Sequence, residues 1–144
     1  MSPTAVAWTV GGRRLLSDAQ VRRVVAAALE HGGRAGIQVS VVFVSDPELS
    51  RLHAEHLGDP SPTDVLAFDL GGPESGPAGE LYVSVERALA VAEERGLAPG
   101  RELALYVVHG CLHLCGFDDR RPRARARMRA AERTVLRALG FGAR

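Results

Sequence analysis

Val107-Val108-His109-Gly110-Cys111-Leu112-His113-Leu114-Cys115-Gly116-Phe117-Asp118-Asp119 is the stretch whose reading organises the rest of the chain. At about 100° per residue, His109 and His113 fall about 40° apart on one helix face. Two imidazoles one turn apart can share a metal ion. Cys111 and Cys115 lie about 200° round from them and read as core. Gly116 ends the helix, so the chain turns back and brings Asp118 or Asp119 towards the pair. Read as H-x3-H-x5-D, the stretch offers two nitrogens and one carboxylate oxygen, with a fourth position open to water. That is the pattern of a catalytic zinc site, although imidazole also suits nickel or cobalt. The plainer account is two hydrogen-bonded histidines in a helix that is apolar nearly all round. The helix-ending glycine and the paired carboxylates favour the metal. Gly110 stands where H-E-x-x-H peptidases carry their general-base Glu, which argues against peptide hydrolysis.

Working outward, this helix spans Pro99 to Cys115. A helix from Glu86 to Arg95, closed by Gly96, precedes it, and a last helix runs from Pro122 to about Leu139. Upstream, Val21, Val24, Val25, Ala28 and Leu29 recur at helical spacing after a Ser17 or Asp18 cap. Ser45-Asp46-Pro47-Glu48 opens another helix, ending near Gly58. Ala5–Val10, Ile37–Val44, Thr63–Leu70 and Leu81–Val85 read as strands. Pro60-Ser61-Pro62 sets an extended entry to the third, and Gly71 to Gly79 is the predicted mobile loop. The order predicts an α+β fold in one domain over residues 1–144: a small mixed sheet of about four strands, covered by helices around a central metal-bearing one.

The chain has 144 residues, 46% of them hydrophobic, enough for a real core and too apolar for a disordered protein. No run reaches the roughly 20 apolar residues that span a bilayer. Met1 to Gly12 lacks the pattern of a secretory signal, and two cysteines make no disulfide framework, so the expected location is cytoplasmic, away from membranes. Charge is divided: residues 1–119 carry nine Arg and sixteen acids, whereas residues 120–144 carry nine Arg and only Glu132. Arg121, Arg125, Arg129, Arg133 and Arg137 repeat every four residues, opposite a core stripe of Ala124, Met128, Ala131, Val135 and Leu139. The Arg stripe reads either as a track for RNA phosphates or as a solvated face.

His109-Gly110-Cys111-Leu112-His113-Leu114-Cys115-Gly116-Phe117-Asp118 resembles the H-G-x-L-H-L-x-G-[YF]-D-H signature of the YbeY endoribonucleases. Pro62-Thr63-Asp64-Val65-Leu66-Ala67-Phe68 is similar to that family's P-T-D-V-L-S-F strand, and Gly79-Glu80-Leu81-Tyr82-Val83-Ser84 to its G-[DE]-I-x-I-S strand. Arg101-Glu102-Leu103 is similar to its run into the metal helix. The resemblance covers about residues 45–140. It implies one zinc ion per chain, cleavage of single-stranded RNA, and work on the small ribosomal subunit in 16S rRNA 3′-end maturation and ribosome quality control, with ribosome-associated proteins as further partners. It also aligns Asp119 with the family's third His ligand, so His109, His113 and Asp119 are the expected metal ligands. Asp118 and Arg120 are the candidates for a catalytic role.

The chain departs from the family pattern at three places. Asp119 replaces a histidine, His56-Leu57 replaces a Tyr-Arg pair, and His53 replaces an Asn. The missing Arg removes a cation from where charge develops on phosphate, a place that Arg51, Arg120 or Arg121 can fill. The alternative function is a ribosome-associated RNA-binding or assembly factor whose catalytic site is weakened or lost. Thr63 reads as a local cap, Asp64 as a turn residue, and Glu80 either as a partner of a metal-ligating His or as an exposed strand-end carboxylate. His53 and His56 are read as solvent-facing, and His31 as a helix-end residue without a function.

Overall fold

The computed structural model describes residues 4–12, 14–58, 63–71 and 77–142. The predicted entry at Pro60-Ser61-Pro62 and the middle of the Gly71–Gly79 loop lie outside them. Four strands, β1 (Thr4–Trp8), β2 (Val39–Val44), β3 (Val65–Asp69) and β4 (Gly79–Ser84), form one sheet in the order β1-β2-β4-β3. β1, β2 and β4 run parallel, and β3 runs antiparallel to β4 at the edge. The sheet is mixed, as expected. β2 and β3 each start two residues later than predicted, after Ile37-Gln38 and Thr63-Asp64, β4 starts two residues earlier, at Gly79, and β1 ends at Trp8 and not at Val10.

Side-chain alternation divides the sheet into two faces. Val39, Val41, Phe43, Leu81 and Val83 point into the main core, while Val44 and Leu66, with Tyr82 and Phe68 beside them, point to the other face. The second face is covered by α2 (Asp46–Leu57) through Leu49 and Leu52. The main core face takes α1 (Asp18–Gly32) and α4 (Pro99–Leu114). α3 (Val85–Arg95) and α5 (Pro122–Ala138) pack on α4 in turn. α4 is therefore surrounded, which is why it is apolar nearly all round: Leu103, Val107, Val108, Cys111 and Leu112 are fully buried.

Local signals account for the helix ends. Ser17 and Gln20 form a reciprocal capping box on α1, and Ser45 and Ser84 cap α2 and α3. No helix among the described residues is long and apolar enough to cross a membrane.

Gly110 sets the distance between α4 and the sheet. A Cβ there would lie 2.8 Å from Leu81 Cδ2 and 3.2 Å from Val65 Cγ2. There is accordingly no room at this position for a glutamate side chain, a steric reason why the peptidase arrangement is absent. Ala in place of Gly gains about 1 kcal/mol of helix propensity, but overpacking a buried contact costs about 1–3 kcal/mol. Gly110→Ala is therefore expected to lower the urea midpoint of unfolding. An unchanged or raised midpoint would contradict the close approach.

Candidate metal centre

His109 and His113 project from the last turns of α4 on the side away from Cys111, and their ring centroids are 4.6 Å apart. The helix ends in a Schellman turn: Phe117 N–H donates to Leu112 O, and Gly116 N–H to His113 O, with Gly116 at φ 96°. The reversal carries Asp119 back over the imidazoles. Asp119 Oδ2 lies 3.4 Å from His109 Nε2 and 3.8 Å from His113 Nε2, and the two Nε2 atoms are 3.1 Å apart. A circle through three atoms at those separations has a radius of about 2.0 Å. Zinc–nitrogen and zinc–oxygen bonds measure about 2.0–2.2 Å, so one ion fits the group without rearrangement. The donor set is also chemically suited: burial, then the neighbouring His109, hold His113 below its ordinary pKa despite Asp119 and Asp118, so its ring is kept neutral and able to ligate.

Asp118, the neighbouring candidate, is occupied elsewhere. Its Oδ1 accepts from Arg120 N–H at 3.0 Å and stabilises the turn. Arg120 itself is exposed and lines a groove of about 730 Å³ that also contains His113, Asp119, Thr63 and His53. His53 thus lies on the groove and is not simply solvent-facing, whereas His56 is exposed and stacks edge-on against Phe68. Leu57 lines the same groove with 60% of its surface exposed. Thr63 Oγ1 donates to Val65 O, the local role expected of it. Arg51 is tied to Glu48 and Glu55 on its own helix, which removes it from the cations proposed for the groove. Arg121 stands at the N-cap position of α5, without a side-chain cap hydrogen bond, and lines neither cavity beside the metal group.

The partner of the metal-facing histidine is not Glu80. β-strand parity places Glu80 with Tyr82 on the face opposite α4, where Tyr82 Oη donates to it at 3.4 Å. Glu132 of α5 holds that place instead. It is only 3% exposed, and its Oε2 lies 2.6 Å from His109 Nδ1. An ionised carboxylate accepts from Nδ1–H, which leaves the lone pair on Nε2 for a metal. Arg129 Nη1 donates to both Glu132 oxygens, at 2.9 and 3.0 Å. Arg129 stays on the exposed stripe, with 47% of its side chain exposed, while its Nη1 reaches back to Glu132, which sits on the core stripe beside Ala131 and Val135. The sequence did carry a signal, since Glu132 is the lone acid of the basic tail and stands four residues after Met128.

On the far side of Glu132 a polar cleft of about 680 Å³ reaches from His109 and Asp119 to Asp64, Glu102 and Tyr106. Asp64 is both a turn residue, accepting from Ser84 N–H through its carbonyl, and a wall of this cleft. Glu102 and Tyr106 are buried, and burial and then Glu102 raise the Tyr106 phenol above its ordinary pKa. Cys111 is fully buried. Cys115 is partly exposed and packs on the core, and burial raises both thiols, so neither competes for a metal.

Three donors converging at the mouth of a groove, with one donor's ring hydrogen-bonded from behind, form a group able to hold a metal ion. The model of the family described as Endoribonuclease YbeY matches residues 14–140, and the chain belongs to that family. It is 39% identical over 133 residues to an Endoribonuclease YbeY of Symbiobacterium thermophilum, covering 84% of this chain and 85% of that one. It is 42% identical over 117 residues to one from Chloroflexus aggregans, covering 74% and 76%. The solution structure of TM1509 from Thermotoga maritima shares the fold, with a TM-score of 0.60 at 23% identity over 94% of this chain and 90% of that one.

Proposed function

We propose that the chain is a zinc-dependent, single-strand-selective endoribonuclease of the cytoplasm, acting on the small ribosomal subunit in 16S rRNA 3′-end maturation and ribosome quality control. The observation that carries the reading is the His109–His113–Asp119 group, whose three ligand atoms lie within 4.8 Å of one another. The family to which the chain belongs supplies the substrate class. His109 Nε2, His113 Nε2 and an Asp119 oxygen would hold the ion, and Glu132 fixes the proton on His109 Nδ1. A bound zinc would supply Lewis acidity towards a phosphate oxygen and water that reacts near neutral pH. In the hydrolysis one water is consumed. Its oxygen ends on phosphorus and a proton on the leaving oxygen, so the strand is left with one phosphate end and one hydroxyl end.

Untagged protein is expected to carry close to one zinc per chain by elemental analysis, and to cut single-stranded RNA in preference to a duplex of the same sequence. Metal-free protein that stays folded and cuts no RNA would overturn the proposal. That outcome would favour a ribosome-associated RNA-binding factor with a decayed site, the reading supported by the exposed Leu57 in the groove.

A further inference from the structure

We propose that Arg129 is the cation that receives the scissile phosphate, an assignment that rests on the endoribonuclease reading. A phosphodiester under attack gathers negative charge on its free oxygens, and a preorganised donor beside them lowers the barrier. The end of α2 supplies no cation, because the residue it presents to the groove is Leu57. Arg51 is committed to Glu48 and Glu55. The remaining guanidinium groups are Arg120 on the groove side, Arg87, Arg95 and Arg129 along the cleft, and Arg125 at the Asp119 carbonyl; among the described residues only Arg129 is hydrogen-bonded to Glu132, the partner of His109.

Arg129 is the preorganised one. Its Nη1 alone takes both oxygens of Glu132, and Glu132 is buried and bonded to His109. The guanidinium is thus positioned relative to the metal group through a chain of short, charge-assisted contacts along packed helices. Among the described residues its Nη2 and Nε make no hydrogen bond, and 47% of the side chain is exposed beside His109 and Asp119. Arg120, by contrast, extends from an exposed turn. Arg125 adds support from the same helix, since its Nη1 donates to the Asp119 carbonyl at 3.4 Å and holds the turn that carries the carboxylate. α5 then does the work that α2 cannot.

The test compares Arg129→Gln, which can still donate to Glu132, with Arg129→Ala, both loaded with zinc. Zinc stoichiometry is expected to stay at one, kcat on a single-stranded RNA oligonucleotide to fall about 100-fold, and KM to change far less. Binding of the oligonucleotide in rising salt should lose about 0.7 from the slope of log K against log salt, one phosphate contact on a single strand. Adding Leu57→Arg to Arg129→Gln is expected to recover cleavage about tenfold or more. A kcat within about threefold of the parent, with an unchanged salt slope, would overturn the assignment. So would loss of zinc in proportion to activity, which would mean that Arg129 acts only through Glu132. A parent protein that binds zinc but cuts nothing would defeat the endoribonuclease reading. Arg129 would then be judged by the salt slope alone, and an unchanged slope would reject it.

Discussion

His113→Ala is expected to weaken zinc binding by about 100-fold or more and to reduce RNA cleavage to background. A structural zinc site of four ligands is worth roughly 10–16 kcal/mol in apparent binding free energy, so one ligand carries on the order of 3 kcal/mol, and each 1.4 kcal/mol is about a factor of ten. The ligand atoms here already sit at separations that suit an ion at about 2.0 Å from each. Little of the affinity is therefore spent on rearrangement, and losing a ligand shows almost in full. His113 has a third of its side-chain surface exposed, at 33%, so its truncation opens no core cavity and the variant should remain folded. A competition titration against a chromophoric chelator reads the affinity, and an RNA cleavage time course reads the activity. Full retention of both would end the metal mechanism.

How far the sequence spoke for itself depended on whether the signal was local. The strands, the helices and their glycine stops were legible, because capping at Ser17 and Ser45 and apolar periodicity act within a few residues, whereas the Ser84 cap was hidden inside a strand reading. The His109–His113 pair was legible because four residues make one helical turn. The choice between Asp118 and Asp119 was not, since it depends on how the Gly116 turn closes, and that turn directs one carboxylate at Arg120 N–H and the other at the imidazoles. Glu80 and Glu132 show the same limit over longer distances. Glu80 lies on β4, next to Leu81 that packs under α4, but its parity sends it to the opposite face. Glu132 lies 23 residues from His109 and meets it only because α5 packs along α4. Arg129 stays on the exposed arginine stripe, but its bond to Glu132 was not legible for the same reason: helical spacing places a Cα and does not show which buried charge a long side chain reaches.

Glu132 is where the second large effect is expected, and two substitutions separate its charge from its geometry. Glu132→Ala removes the acceptor for His109 Nδ1–H, so the ring loses both its orientation and the bias that keeps the Nε2 lone pair facing the ion. Losing such a partner typically costs 10–100-fold in metal affinity, and about 100-fold is expected here because the contact is 2.6 Å long and buried. Glu132→Gln keeps an acceptor at nearly the same place without the charge, and about a tenfold loss is expected. Stability should respond less than the burial of Glu132 suggests. Removing one partner of a buried pair costs about 3–5 kcal/mol when the charge left behind is stranded from water. Here the groups left behind are Arg129, 47% exposed and free to rehydrate, and the neutral His109 Nδ1–H, so the loss should be about 1–3 kcal/mol, that of a hydrogen bond left unmade. Chelator competition and urea unfolding on the same samples distinguish the outcomes. Affinity falling in the order parent, Gln, Ala, while stability falls only modestly, places Glu132 behind the metal ligand. A large stability loss with unchanged affinity in the folded fraction would instead make it a packing residue of α5.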